Sequence, residues 1–121
     1  MGSKKVLIVE DEKSLVGALE KKLNKSGFEV VMAFNGEEGL RKIQETKPDL
    51  VLLDIIMPKM DGITMLKKLR EKGDKTPVIM LTNLNDSKKL SEAMDAGSYE
   101  YLVKSNYSLE DVVDKINKVL N

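Results

Sequence analysis

Asp49-Leu50-Val51-Leu52-Leu53-Asp54-Ile55-Ile56-Met57-Pro58 is the stretch that decides the fold. An uninterrupted apolar run ends in one carboxylate, and a proline soon follows. A strand wet on one face alternates apolar and polar residues, whereas a strand covered on both faces of a parallel sheet reads as a continuous apolar run. Asp49–Asp54 is therefore predicted as a central strand, with Asp54 at its carboxyl end. Lys5–Val9 and Pro77–Leu81 repeat the pattern, and Glu29–Ala33 and Glu100–Val103 carry it in weaker form.

Longer amphipathic segments separate these runs, at Glu12–Ser26, Gly36–Lys47, Gly62–Lys72, Ser87–Ala96 and Leu109–Leu120. In the first, Leu15, Leu19 and Leu23 recur every four positions; in the last, Leu109, Val112, Val113, Ile116, Val119 and Leu120 trace one face of a helix. Ser108, with Asp111 three residues on, reads as an N-cap, and Gly27, Gly73 and Gly97 mark helix ends. Strict alternation of short strands and helices predicts one doubly wound α/β domain, a five-stranded parallel sheet with helices on both faces. It would span residues 1–121, with residues 1–3 a disordered or expression-derived start. No output domain fits beside it, so the chain is expected to be a single-domain protein or a piece of a longer one.

Composition narrows the chemistry. The chain has 121 residues, of which 41% are hydrophobic and 33% charged, an ordinary globular balance. Lys+Arg and Asp+Glu both count 20, so no broad basic field exists to hold a nucleic-acid backbone, and direct nucleic-acid binding is not expected. Runs such as Val6–Val9 and Leu50–Leu53 are too short to cross a bilayer. There is no Cys and no His, which removes disulfides, thiolate and imidazole metal sites, and Ser-His-Asp chemistry. A reducing, cytoplasmic location is expected, with no membrane partner. The seven Met residues are scattered and read as core filler.

Open α/β sheets bind ligands outside the carboxyl ends of their strands. In this chain those ends carry Glu10, Asp11 and Glu12 after the first strand, Asp54 on the third, Thr82 after the fourth and Lys104 after the fifth. Two carboxylates about 4 Å apart repel by roughly 4 kcal/mol at an effective dielectric of 20, so the cluster calls for a cation. Oxygen donors without His or Cys favour Mg2+, with Mn2+ possible. A carboxylate beside such a metal can attack phosphorus, and Asp54 is the best placed to do so. Lys104 and the metal would neutralise the transferred oxygens while Thr82 donates to one of them.

These residues, in this order, resemble the response-regulator receiver domains over the whole chain. The family's acidic pair corresponds to Glu10 and Asp11, its phosphoacceptor to Asp54, its switch hydroxyl to Thr82, its switch aromatic to Tyr101 and its lysine to Lys104. The loop Met57-Pro58-Lys59-Met60-Asp61-Gly62 also follows the family pattern. The resemblance implies a flavodoxin-like sheet of strand order 2-1-3-4-5, with metal ligands Glu10, Asp11, Asp54 and the backbone carbonyl of Ile56. It implies phosphorylation of Asp54 by a sensor histidine kinase or phosphotransfer protein. It further implies a downstream protein that binds the face of the fourth helix, fifth strand and fifth helix, on a monomer or a weak phosphorylation-dependent dimer. The protein would then be no enzyme in the turnover sense, but a switch that assists its own phosphorylation and dephosphorylation.

Two positions depart from the pattern. Ser105 follows Lys104 where the family usually has a proline joined through a cis peptide, and a non-proline cis bond costs about 2.5–4 kcal/mol. Asn83 follows Thr82 where the family commonly has a small residue. Both bear on the rates of gaining and losing phosphate. Other readings use parts of the same site. An aspartyl-phosphate phosphatase would place a second acid two residues past its nucleophile, where this chain has Ile56. A nucleotide binder would present Gly, Ser and Thr amides in its first loop, which here is acidic. A receiver that binds its partner without phosphorylation would need no intact acidic site.

Overall fold

The computed structural model describes residues 3–82, 87–103 and 107–121. Ten elements alternate along the chain: β1 Lys5–Val9, α1 Lys13–Lys25, β2 Glu29–Ala33, α2 Gly36–Thr46, β3 Leu50–Asp54, α3 Gly62–Glu71, β4 Val78–Thr82, α4 Ser87–Asp95, β5 Glu100–Val103 and α5 Leu109–Leu120. The strands form one parallel sheet in the order β2-β1-β3-β4-β5, as expected.

The continuous apolar runs work because strand side chains alternate faces. Leu50 and Leu52 pack with Val6, Ile8, Ile79 and Leu81 against α1 and α5. Val51 and Leu53 pack with Leu7, Val9, Val78 and Met80 against the helices of the other face, including Ile43 of α2 and Leu66 of α3. All of these strand residues are fully buried. Burying one such side chain stabilises by roughly 1.5–3 kcal/mol, so the three central strands supply most of the driving force. The edge strands β2 and β5 carry the more exposed residues.

Element limits move by a residue or two from those predicted. Asp49 stands outside β3, and its carboxylate accepts from the Lys5 backbone N–H at 2.7 Å. β4 runs one residue later than expected and takes in Thr82. α1 begins at Lys13, so Glu10, Asp11 and Glu12 all precede it and its first turn contains no acidic residue. Ser108 does cap α5, in a reciprocal box with Asp111, and Gly27, Gly73 and Gly97 adopt φ of 94°, 82° and 107° at helix ends. The Lys104–Ser105 peptide and Asn83 lie outside the described residues.

Candidate functional site

β1 and β3 run side by side, with Val9 opposite Leu53, so the chain leaving β1 passes the end of β3. Glu10 and Asp54 meet there. Glu10 is fully buried and Asp54 is 5% exposed, whereas Asp11 is open to solvent. One carboxylate oxygen from each of the three lies within 4.8 Å of the others. Glu10 is held at both ends: its backbone N–H donates to Ala33 O at 3.0 Å, and its Oε2 accepts from the Glu12 N–H at 3.0 Å.

The acids stand before the helix, and the most buried one turns toward Asp54 instead of into a helical turn. Buried carboxylates in mutual contact are costly unless a cation joins them. The donor set is all oxygen in a chain without His or Cys, which fits Mg2+ or Mn2+ and not zinc.

Asp54 is positioned by a close approach on its far side. The α3 N-terminus presses against the strand end, where the Gly62 N–H donates to Ile55 O at 2.8 Å. A Cβ at Gly62 would stand 2.0 Å from the Asp54 carbonyl oxygen, so only glycine fits. Asp61, one residue earlier, caps the helix by accepting from the Thr64 N–H at 2.9 Å, which keeps its carboxylate on α3.

Thr82 ends β4, one residue past the Asp54–Leu81 register pair, and is fully buried. Tyr101 sits on β5 opposite Met80 and is 39% exposed, beside a surface groove lined by Ser87, Leu90, Ser91 and Met94. The Ile56 side chain projects into solvent, 57% exposed, at the mouth of the site. Lys104 lies outside the described residues.

Tyr107 is the residue that reading the sequence passed over. It immediately precedes the α5 cap, and its ring packs against the same cluster as Val112 in the first turns of that helix. This is the arrangement of a hydrophobic staple, and an aromatic just before the Ser108 cap was the available signal. Its hydroxyl is buried and finds no hydrogen-bond partner among the described residues. Burial, then the charge of Glu10 and then that of Asp54, push the phenol well above its usual pKa.

The response regulator receiver domain family model matches residues 6–117. The alkaline phosphatase synthesis transcriptional regulatory protein PhoP of Bacillus subtilis is 36% identical over 118 residues, which is 98% of this chain and 49% of PhoP. The chain thus spans about half the length of the curated relatives it matches. Among solved structures, the receiver domain of the Francisella response regulator 1452 superposes with a TM-score of 0.91 at 32% identity, covering 98% of this chain and 97% of that one. The chemotaxis protein CheY4 of Vibrio cholerae gives 0.91 at 31% identity, covering 98% and 100%. With the sheet order, the acidic cluster at the strand ends and the near full-length family match in agreement, the chain belongs to the response regulator receiver domains of two-component signalling.

Proposed function

We propose that this chain is a phosphorylation switch whose acceptor is Asp54, and the convergence of Glu10, Asp11 and Asp54 within 4.8 Å is the observation that carries the reading. In the reaction an Asp54 carboxylate oxygen attacks the phosphorus of a phosphohistidine on a sensor kinase or phosphotransfer protein. An acyl P–O bond forms as the P–N bond breaks, and the departing imidazole nitrogen keeps the electron pair and takes up a proton. Dissociative phosphoryl transfer asks little of the protein beyond placing the oxygens in line and neutralising their charge. Mg2+, when bound by Glu10, Asp11, Asp54 and the Ile56 carbonyl, supplies part of that neutralisation.

The protein's own residues do the rest. Glu10, anchored on the Glu12 N–H, holds the acidic end of β1 against Asp54. The Gly62 contact fixes the Asp54 backbone, so the nucleophile does not drift. Thr82, buried on the next strand, is the donor for one oxygen of the new phosphoryl group, and Lys104 is assigned to another. Hydrolysis of the acyl phosphate returns the carboxylate, so the switch assists both directions of its own cycle.

Phosphorylation takes Asp54 from one negative charge to about two. Thr82 is drawn toward it and vacates volume between β4 and β5, and the half-exposed Tyr101 ring turns inward. The affected surface is that of α4, β5 and α5, where Met94, Tyr99 and Tyr101 expose apolar area to a downstream protein. The phosphate selects between two pre-existing states by binding one of them better. Among the described residues no helix is long and apolar enough to cross a membrane, and the absence of Cys suits a reducing, cytoplasmic setting.

The test is direct. Incubated with Mg2+ and a small phosphodonor, the parent gains one phosphoryl group by intact mass and Asp54→Asn gains none. Equal uptake by Asp54→Asn, or no uptake by the parent with any donor, refutes the assignment.

A further inference from the structure

The loop from Ile56 to Asp61 joins the end of β3 to α3, and its backbone is strained at one residue. Lys59 has φ of 68°, and the Met60 N–H donates to Pro58 O at 2.7 Å, which closes a γ-turn around Lys59. A γ-turn of positive φ is rare and strained, and such strain persists only where the surroundings over-determine it. The Lys59 side chain is exposed, so its own packing does not hold the turn.

The neighbours of the turn do hold it. Gly62 closes the far end of the loop against Asp54 and Ile55, and the buried Met57 side chain ties the near end to the core. From above, α2 bears on the middle. Gly36, its first residue, is buried, and a Cβ there would stand 2.8 Å from the Met60 carbonyl oxygen and 2.9 and 3.0 Å from Met60 Cβ and Cγ. That end of α2 is itself fixed: the Asn35 side chain accepts from the Glu38 N–H at 2.9 Å, and Glu38 Oε1 accepts from the Phe34 N–H at 2.7 Å. With Met57, Met60 and Gly62 all held, Lys59 is left to absorb the mismatch.

We infer that Gly36 is a positioning residue of the acceptor site: through it α2 bears on the Met60 backbone, imposes the γ-turn at Lys59 and so fixes the backbone carbonyl of Ile56. A carbonyl has no rotamer of its own and shares a rigid plane with the next residue's N–H, so only the loop on either side can set its place. Gly36 touches neither the acids nor Asp54 and acts through Met60.

The inference deepens the proposed function and rests on reading the acidic cluster, with the Ile56 carbonyl, as a metal and phosphoryl site. Gly36→Ala drives a methyl group into the Met60 backbone. Gly39→Ala, on the same face of α2, meets only side chains, first the flexible end of Met65, and serves as the control. Two measurements decide it, the Ile56 carbonyl 13C resonance in metal-free protein and the Kd for Mg2+ alone by calorimetry. In Gly36→Ala the resonance should move and the Kd rise about tenfold, the lower end of the range for residues that orient metal ligands. Gly39→Ala should leave both as in the parent. Lys59→Gly, for which positive φ carries no Cβ penalty, should also keep both, because the neighbours and not the residue shape the turn. If Gly36→Ala gives no cooperative melt, Met60→Ala takes its place, since it withdraws the side-chain part of the contact without overpacking, and the same resonance must move. An unmoved Ile56 resonance overturns the inference, as does an equal displacement in Gly39→Ala, a loop loosened by Lys59→Gly, or an unchanged Kd in a parent that binds Mg2+. In a parent that binds no Mg2+ the proposed function fails, and the Ile56 resonance of the metal-free protein still decides whether α2 sets the loop.

Discussion

Gly62→Ala is the sharpest perturbation the fold offers, because a single methyl group would enter the backbone of the acceptor strand. The added Cβ would stand 2.0 Å from the Asp54 carbonyl oxygen, 2.9 Å from its carbon and 3.1 Å from Ile55 Cα. Real Cβ contacts essentially never fall below 3.0 Å, so β3 and the α3 N-terminus must part by about 1 Å. Backbone atoms in a buried central strand have no rotamer in which to escape. The substitution therefore belongs at the upper end of the overpacking range, about 3 kcal/mol. In a chain of this size that lowers the thermal midpoint by roughly 10 °C. Gly17→Ala is the matched control: it lies inside α1 with nothing within 4 Å of its Cβ, and a helix-interior Gly→Ala change gains about 0.5–1 kcal/mol. Circular-dichroism melts of the two variants and the parent should move in opposite directions. A Gly62→Ala midpoint within about 2 °C of the parent would refute the close approach and with it the account of how Asp54 is held.

Four further outcomes follow from the same contacts. In metal-free buffer Asp54→Asn should melt above the parent, since it removes one of three carboxylates whose oxygens lie within 4.8 Å of one another, and like charges at about that limit repel by about 3 kcal/mol at an effective dielectric of 20; a clearly less stable Asn variant would show that the cluster is not repulsive. Ser108→Ala, which deletes the bond to the Asp111 N–H, should cost about 1 kcal/mol in urea unfolding, and Asp111→Ala on top of it should add less than it does alone. Arg70 donates to the carbonyls of Gly97, Asp74 and Thr76, and burial lowers its pKa; Arg70→Met should destabilise by about 2 kcal/mol and speed amide exchange at the turn after α4, and unchanged exchange there would remove the clamp. Thr82→Ala should still be phosphorylated yet lose most of the backbone-amide shifts near Tyr101 induced by a beryllium fluoride mimic; a full response would send the signal by another route.

Much of the fold is local and therefore legible in the sequence. Leu50–Leu53 is apolar on both faces, so it had to be a covered central strand, and its end had to carry Asp54 to the ligand-binding edge. Ser108 with Asp111, and the three glycines at helix ends, act within a few residues of themselves and came out where their chemistry placed them. The acids at the strand ends pointed to a cation because like charges gathered on one edge need one, and the motif order pointed to the family. What only tertiary structure decides is distance between segments far apart in the chain. No local signal states that Gly62 must touch the Asp54 carbonyl, that Glu10 is fully buried while Asp11 is wet, or that Tyr101 is left half exposed. Tyr107 is the clearest instance. As an aromatic before a helix cap it reads as packing, and it becomes part of the site's surroundings only because α1 and α5 lie side by side and bring their entry segments together.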